Sequence, residues 1–499
     1  MNTALTQIKS LQKWLFNHRK DLVVIVIIFF IALGVRLLYQ NASVVNGPQR
    51  ADAGKYVRAA ANLRFFNAHS LQGLQPDNKP PETRTDLSPG FPLFLSLFVN
   101  SKNVKSVKSG NEYYTLFNTE TVNKILFWQA ILGALTTVLA FILARFCLAF
   151  RWSVLAGFLV AINPHLIALD GYLLTETLSI FVVTLSLVVL ITAWRTNNYV
   201  LIFIGSLLIC SSVHIRTVSY GLPVLMFLLL FLNSKQLTFH KRKRMVLNAV
   251  FFLLGVLSVY SVHRNFKQTK MTLVSSAISS SSDPKNKASD SDTSQIKYVV
   301  FKSPIEYLKN GLTPPNFIIN GTSHVLAKNT GYDYKSKTTS NFKEKPMAYI
   351  QWNAVSKFIV MWHWDNAYNG DVYIYPMKKK GFEENHFLNA LHWIMFHLHW
   401  VFYFLAWIAP FIFAIRFKTG LATKKEIYLI FPILIFTYYI AILWFLGSWL
   451  PRYTIIIRPY AAILSVASLS WIMNYDFKTL LMSFKNIHDD DGADDDDDE

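Results

Sequence analysis

Residues 22–39 read LVVIVIIFFIALGVRLLY, and Arg36 is the one charged side chain in this run. A helix of 18 such residues is long enough to cross a hydrocarbon core about 30 Å thick. Further apolar runs follow and alternate with polar or basic stretches. A membrane β-barrel would instead show segments of about ten residues with alternating polarity, which the sequence lacks. The sequence therefore predicts an all-α polytopic membrane protein.

The amino-acid composition supports the same fold class. Hydrophobic residues make up 52% of the chain, which contains 39 Phe, 23 Tyr and 13 Trp, well above a typical soluble domain. The net charge is +19 although Asp489–Glu499 holds nine acids. Basic inner loops and contact with anionic lipids explain this charge without nucleic acid as a partner. Cys147 and Cys210 lie in apolar runs, which argues against a disulfide framework or a cysteine metal site.

The short loops on one side of the predicted membrane are basic, which indicates ten crossings with both termini in the cytoplasm. A cleaved signal peptide is the alternative interpretation of the first run, but the run is long and no Ala-x-Ala-like site follows it. Residues 90–100 are too few to span and predict a helix in the interface. The predicted crossings are Leu22–Tyr39, Asn123–Phe150, Ser153–Asn163, Leu173–Trp194, Tyr199–Val213, Tyr220–Leu232, Met245–Val262, Leu391–Ile415, Ile427–Leu446 and Thr454–Met473.

The stretch after the first crossing contains the most distinctive motifs. An Asp-x-x-x-Tyr-x-x-x-Ala-x-Asn-Leu run begins at Asp52 and includes Tyr56. An Arg-x-x-x-x-Pro-Gly-Phe-Pro-Leu-Phe-Leu run begins at Arg84, just before the chain becomes apolar again. The stretch thus combines an acid, several cations and a Pro-Gly-Phe-Pro turn between two apolar segments.

Further motifs follow in order along the chain. Leu173-Leu174-Thr175-Glu176 opens an apolar run, and Arg216 precedes another. Arg264-Asn265 begins the longest polar stretch, and Pro451-Arg452-Tyr453 precedes the last apolar run. All these polar residues fall on the outer face of the predicted topology. Ionisable groups in or beside membrane helices are costly, so they are candidates for a functional site.

Taken in this order, the motifs resemble those of C-type membrane glycosyltransferases, the polyprenyl-phosphate-sugar-dependent enzymes related to protein O-mannosyltransferases and the lipid A aminoarabinose transferase. The resemblance covers residues 22–265 well, the last helix fairly, and residues 270–390 hardly at all. It implies a C-type fold with extracytoplasmic juxtamembrane helices and a large external loop. It also implies transfer of a hexosyl or pentosyl group from a polyprenyl-phosphate donor to an extracytoplasmic lipid, glycan or protein. No glycine-rich nucleotide fingerprint is present in the sequence.

The resemblance assigns roles to individual residues. Asp52 matches the acid of the family and would be the catalytic base, with Glu176 assisting. Many relatives carry a second acid beside the first, where this chain has Ala53. Arginines can bind the leaving phosphate bidentately and offset its charge. The donor-binding candidates are Tyr56, Arg84, Arg216, Arg264 and Arg452.

Each of these residues also has a purely structural interpretation. Asp52 could cap a following helix predicted over Ala53–Leu63. Glu176 could be a helix N-terminal acid favoured by the macrodipole. Each arginine could be an interfacial side chain that reaches toward water. The sequence leaves these alternatives open.

The topology and the motifs divide the chain into four parts. Residues 1–263 form an N-terminal transmembrane catalytic module whose first external loop is 41–122. Residues 264–389 form a large extracytoplasmic loop, 390–475 form the C-terminal transmembrane helices, and 476–499 form a cytoplasmic acidic tail. The expected location is a bacterial plasma membrane, with the active site on its extracytoplasmic side.

Two other functions and several ligands stay open. A flippase for lipid-linked sugars would need cations at several depths, whereas the charges here gather at one face; a polysaccharide polymerase or ligase is the second alternative. The expected partners are a polyprenyl-phosphate sugar, membrane lipids and an unidentified acceptor. No cofactor is predicted, although the sequence leaves a divalent cation open.

The histidines near the last crossings favour an aromatic belt over a metal site, because no carboxylate is spaced with them. These residues are His386, His392, His397 and His399. Trp362-His363-Trp364-Asp365 could stack on a sugar or lie on the membrane surface.

Overall fold

A computed structural model describes residues 2–75, 79–81, 85, 87–109, 112–232, 246–247, 249–257, 361–366, 371–375, 377–445 and 451–474. The predicted site residues Arg84 and Arg264 lie outside these described residues. So do the acidic tail and most of the predicted large loop.

The described chain is mostly helical. Its α-helices are α1 (Asn2–Ala42), α2 (Ala51–Phe66), α3 (Gly90–Ser96), α4 (Thr119–Cys147), α5 (Phe150–Ala161), α6 (Pro164–Leu169), α7 (Glu176–Thr196), α8 (Tyr199–Ile215), α9 (Leu222–Leu232), α10 (Gly381–Glu384), α11 (His386–Lys418), α12 (Ile430–Phe445) and α13 (Arg458–Met473). Short 3₁₀ helices cover Thr217–Ser219, Glu426–Leu429 and Pro451–Ile457. The strands are β1 (Val44–Val45), β2 (Val104–Ser109), β3 (Glu112–Phe117) and β4 (Met377–Lys379).

The predicted helical membrane architecture is confirmed, but the count of ten crossings is not. Six helices within the described residues are long and apolar enough to span, and three further apolar helices are shorter. The third predicted crossing corresponds to α5, whose 12 residues extend only about 18 Å. The six long segments are Arg19–Ala42, Thr119–Cys147, Glu176–Thr196, His386–Lys418, Glu426–Leu443 and Pro451–Met473, and the shorter ones are Phe150–Ala161, Tyr199–Ile215 and Thr217–Leu229.

Asparagine side chains set the starts of four helices. In α4, the side chain of Asn118 accepts a hydrogen bond from the Thr121 amide. Asn163, Asn198 and Asn385 cap α6, α8 and α11 in the same way. Such caps satisfy backbone donors that have no partner within the first helical turn. The helix α3 occupies the position of the predicted interfacial helix at residues 90–100.

The centre of the bundle is the segment Pro451–Met473, whose 18-residue apolar stretch is 89% buried. It packs against α5, α11 and α12. By contrast, the apolar segments of α1 and α11 are only 28% and 22% buried. They present apolar side chains such as Phe30 and Phe411 to the outside, as helices in contact with lipid do.

A buried ion pair joins α1 to the turn after α6. Arg36 Nε donates to Asp170 Oδ2 over 2.6 Å, and both side chains are at most 4% exposed. The Thr177 hydroxyl donates to Asp170 Oδ1 over 2.7 Å. Arg36 Nη1 also donates to the Ala161 carbonyl over 3.3 Å. These bonds offset the desolvation of two charges, which would otherwise be strongly unfavourable.

Two glutamines hold the backbone of the same turn, which leads from α6 into α7. Gln129 of α4 donates to the carbonyl oxygens of Asp170 and Tyr172, over 3.1 and 2.7 Å. Gln40 of α1 donates to the Asp170 carbonyl over 3.2 Å. Two helices, α1 and α4, therefore determine where α7 begins and where Glu176 lies.

Two strand pairs were not predicted from the sequence. The strands β2 and β3 form an antiparallel hairpin within the first loop. The strands β1 and β4 pair Val44 with Lys379 and Val45 with Met377. The second pair brings residues 377–379, near the end of the predicted large loop, back to the end of α1, more than 300 residues earlier.

Gly133 of α4 lies against the ion pair, and a Cβ atom at this position would collide with Asp170 Oδ2 and Arg36 Nε. We expect Gly133→Ala to lower the free energy of unfolding by about 3 kcal/mol or more, because it overpacks the site and separates a buried pair. Thermal unfolding of the purified protein in detergent measures this change.

Gly34→Ala is the matched control, because no atom lies within 4 Å of its added Cβ and alanine favours a helix. Its unfolding temperature should equal or exceed that of the wild type. Equal unfolding temperatures for the two variants would show that the ion pair is not a stability-determining contact.

Candidate active site

Asp52 lies in the first turn of α2, and its carboxylate contacts two cations. Asp52 Oδ1 is 3.5 Å from Lys55 Nζ, and Asp52 Oδ2 is 3.6 Å from Arg452 Nη2. The helix begins at Ala51 and its N-cap residue is Arg50, so the interpretation of Asp52 as an N-cap is wrong. The carboxylate is 17% exposed and therefore remains within reach of a substrate.

Glu176 is the first residue of α7 and forms a second ion pair. Its Oε1 is 2.5 Å from Arg216 Nη1, and its side chain is only 8% exposed. Arg216 is the C-cap residue of α8, directly after Ile215. The Thr175 hydroxyl donates to Glu176 Oε2 over 3.3 Å and accepts from Arg216 Nη1 over 3.4 Å. The helix N-terminus also favours an acid here, so both interpretations of Glu176 are compatible.

Tyr56 connects the two ion pairs. It lies one turn beyond Asp52 on α2, and its hydroxyl interacts with the side chain of Thr175. Burial, together with the nearby charges of Asp52 and Glu176, raises the pKa of Tyr56 well above its usual value. The phenol therefore keeps its proton at neutral pH and can donate a hydrogen bond. Its ring packs edge-on against Phe91, with centroids 5.2 Å apart.

Arg452 enters the cluster from the 3₁₀ segment before α13. Its Nη2 donates to the Tyr453 hydroxyl over 3.1 Å, and its guanidinium lies 4.9 Å from the Tyr453 ring centre. Arg452 also interacts electrostatically with Glu176 as well as Asp52. Among the described residues, its Nε has no hydrogen-bond partner. The guanidinium therefore has an unused donor beside the Asp52 carboxylate.

Tyr375 belongs to the cluster although no sequence signal marked it. Its buried hydroxyl has no hydrogen-bond partner within the described part of the chain. Burial and the charge of Asp52 raise the pKa of Tyr375 well above its usual value. The Arg50 guanidinium lies 5.3 Å from its ring centre, and the Tyr172 ring lies 5.5 Å away. The pairing of β1 with β4 holds Tyr375, two residues before β4, next to the site.

The structure therefore brings together five of the seven residues singled out in the sequence: Asp52, Tyr56, Glu176, Arg216 and Arg452. Arg84 and Arg264 lie outside the described residues. The described cluster has four cations and two carboxylates: Arg50, Lys55, Arg216 and Arg452 against Asp52 and Glu176. Its excess positive charge suits an anionic ligand, and its open donors suit a ligand with several oxygen acceptors.

The histidines and tryptophans differ from expectation. His392 Nε2 lies 2.7 Å from Asp371 Oδ2, so a carboxylate does accompany this histidine. No group of three or more potential ligands for a metal occurs among the described residues.

Trp362 and Trp364 are 1% and 4% exposed, so neither the sugar-stacking nor the membrane-surface interpretation is correct. They pack inside the bundle against Tyr403 and His399, among others.

No protein-family model matches the sequence, and no curated protein matches it significantly. The fold is similar to solved structures of the oligosaccharyltransferase of Archaeoglobus fulgidus. AglB in complex with an inhibitory peptide and a dolichol-phosphate has a TM-score of 0.50 at 15% identity, covering 92% of this chain and 51% of that chain. The apo form has a TM-score of 0.50 at 16% identity, and the match covers 91% of this chain and 50% of that chain. The form tethered to an acceptor peptide with the NVT sequon has a TM-score of 0.50 at 17% identity, and the match covers 93% of this chain and 50% of that chain.

At these identities the likeness establishes the fold. The chain shares its fold with these oligosaccharyltransferase structures, whereas the narrower relationship to O-mannosyltransferases or the lipid A aminoarabinose transferase is not confirmed. The chain spans about half the length of these oligosaccharyltransferase structures. Together with the six membrane-length helices, this fold shows an integral membrane protein.

The Glu176–Arg216 pair allows a test of the site's geometry. Arg216→Gln leaves a buried carboxylate without its nearest cation, which should cost about 3–5 kcal/mol of unfolding free energy. In the double variant Glu176→Gln, Arg216→Gln, both charges are absent and the loss should be much smaller. Thermal or denaturant unfolding of the wild type, both single variants and the double variant gives the coupling energy. Strictly additive losses would contradict the direct ion pair.

Proposed function

We propose that this protein is an integral-membrane glycosyltransferase that moves a sugar from a polyprenyl-phosphate-linked donor to an extracytoplasmic acceptor. The observation that carries the proposal is the pair of adjacent carboxylate–arginine contacts, Asp52 with Arg452 and Glu176 with Arg216, within a C-type glycosyltransferase fold. A base and a phosphate-binding group must lie side by side for glycosyl transfer from a lipid phosphate.

In this proposal Asp52 is the catalytic base. An acceptor hydroxyl or amine attacks the anomeric carbon of the donor sugar, and the bond from that carbon to the phosphate oxygen breaks. Asp52 takes the proton of the acceptor, and the lipid phosphate leaves with the bonding electron pair. Asp52 suits this role better than Glu176, because its carboxylate is 17% exposed whereas that of Glu176 is 8% exposed and tightly paired.

Arg452 is the proposed contact for the departing phosphate. Arg452 has an unpaired Nε, and its Nη2 lies 3.6 Å from Asp52 Oδ2. The guanidinium would therefore place positive charge where negative charge develops in the transition state. Glu176 assists by holding Arg216 in position, and the Tyr56 and Tyr375 hydroxyls can donate hydrogen bonds to the donor. Arg84 and Arg264 are proposed as further donor contacts on the sequence motifs alone.

The bundle interior offers little support for a flippase. Arg36 and Arg458 are cations deep within the chain, but each is only 1% exposed. Arg36 is paired with Asp170, and Arg458 Nη1 donates to His165 Nδ1 over 2.7 Å. Neither side chain can line a water-filled path for a charged lipid headgroup in this arrangement. The transferase is therefore the better-supported function.

Transfer from radiolabelled polyprenyl-phosphate sugars into membrane material tests the proposal. We expect Asp52→Asn to lower the turnover rate at least a hundredfold, since general base catalysis contributes about 10²–10⁴. Glu120→Gln is the matched control, because it makes the same acid-to-amide change at a side chain that is 72% exposed and outside the cluster. It should retain wild-type transfer.

Full transfer by a folded Asp52→Asn variant would remove Asp52 from catalysis. No transfer from any donor by the wild type, together with movement of lipid-linked sugar across a liposome membrane, would favour the flippase.

Arg452→Lys tests the phosphate contact, since lysine keeps the charge but loses the planar fork of donors. We expect both kcat and kcat/KM for the donor to decrease about tenfold or more, because the lost contact is to the phosphate on which negative charge develops in the transition state. Arg64→Lys, at the exposed end of α2, is the control and should leave both constants unchanged. An unchanged kcat in a folded Arg452→Lys variant would contradict the proposed phosphate contact.

A further inference from the structure

A cavity of about 550 Å³ opens at the opposite end of the bundle from Asp52. It lies where α4 and α13 end and where α5 begins, and its lining includes Cys147, Arg151 and Asn474. The first residue of α4 follows closely on Phe117, which is hydrogen-bonded to Gln49 beside the site. The 29 residues of α4 then extend about 43 Å. The cavity and the candidate active site are thus separated by roughly the thickness of a membrane.

Positive charge dominates the lining of this cavity. Its cations are Arg151, Arg416, Lys424 and Lys425, and Glu426 is the acid among the described lining residues. Arg151 Nη2 donates to the neutral Asn474 side chain over 3.0 Å. Within the described chain, neither Lys424 nor Lys425 makes an ion pair, so most of the positive charge is uncompensated.

The carboxylate of Glu426 already accepts hydrogen bonds from neighbouring protein donors. Glu426 is 8% exposed, and both its oxygens lie 3.2 Å from Arg416 Nη2. Its oxygens also accept hydrogen bonds from Trp471 Nε1 over 2.6 Å and from the Thr423 amide over 2.7 Å. The carboxylate thus orients Arg416 and the chain that carries the two lysines. In the described structure, the buried Nε of Arg416 has no acceptor.

The residues around the cavity are of the types found where a membrane meets water. The tryptophans Trp152 and Trp471 line it, and tryptophan is enriched where membrane meets water. Next to the lining residues along α11 and α13 lie the apolar side chains of Phe417, Ile472 and Met473, which are 61%, 53% and 68% exposed. The anionic headgroup of a phospholipid could therefore bind in the basic cavity, and its two acyl chains could lie against the adjoining apolar surface.

We propose that this cavity binds the phosphate headgroup of an anionic membrane phospholipid, in the leaflet opposite the Asp52 site. Lys424, Lys425 and Arg151 contact the phosphate, and Arg416 offers its free Nε. Basic recesses between membrane helices bind phospholipid headgroups in this manner. The volume of about 550 Å³ is within the range of small-molecule sites. This inference does not depend on the glycosyltransferase proposal.

Binding of fluorescently labelled phosphatidylglycerol to the delipidated full-length protein in detergent tests the proposal. We expect Lys424→Ala, Lys425→Ala together to weaken binding about five- to thirtyfold, at roughly fivefold for each lysine near an anionic headgroup. Phosphatidylcholine should bind poorly to both proteins. Raising the salt concentration should reduce the difference between wild type and variant.

The matched control is Lys102→Ala, Lys105→Ala, which removes two exposed lysines at the other end of the molecule. It should bind phosphatidylglycerol as the wild type does. All four substituted lysines are exposed, and thermal unfolding of each variant verifies that it is folded. Equal weakening by both double variants would show unspecific attraction and overturn the proposal.

Two further outcomes would also overturn it. Glycerol phosphate that competes as well as unlabelled phosphatidylglycerol would assign the cavity to a soluble phosphate compound. A full-length chain without any preference for phosphatidylglycerol, which gains that preference only when residues 475–499 are removed, would assign the cavity to the acidic tail.

Discussion

The buried contact between Arg36 and Asp170 is the constraint on which the candidate site depends. An arginine in a membrane-spanning helix is costly unless a carboxylate and further hydrogen-bond partners accompany it. Here Asp170, Thr177 and the Ala161 carbonyl provide them, and Gly133 leaves the space for the pair on α4. The pair holds the turn between α6 and α7, and this turn places Thr175 and Glu176 beside α2.

The site is then assembled from parts of the chain that are far apart in sequence. Asp52 and Tyr56 come from α2, Glu176 from the start of α7, Arg216 from the end of α8, and Arg452 from the segment before α13. Each lies at or near the end of a helix, where a polar side chain can reach the aqueous boundary while the helix body stays apolar. The membrane thus forces these polar groups to gather at one face, which concentrates their charge there.

The sequence was informative where hydrophobicity and helix ends determine the structure. Long apolar runs predicted the membrane helices, and Asn163-Pro164 marked the interruption between α5 and α6. The acids and arginines of the site carried recognisable motifs. Tyr375 carried no such signal, because its place depends on two strands of two and three residues. The positions of Trp362 and Trp364 were wrongly predicted, because their burial depends on partners in α11 and α12 and because tryptophan is also enriched at membrane interfaces. The partnership of Arg36 with Asp170 is likewise a long-range contact without a local pattern.

We propose that Arg452, beside the Asp52 carboxylate, binds the lipid phosphate released by transfer. A cryo-electron-microscopy structure of the full-length protein in a nanodisc with a polyprenyl phosphate would show where this phosphate binds. We expect phosphate density within hydrogen-bonding distance of the Arg452 guanidinium, close to Arg216 and to the Tyr375 hydroxyl. A phosphate bound elsewhere, with the contact between Asp52 and Arg452 unchanged and no ligand beside it, would rule out this role of Arg452.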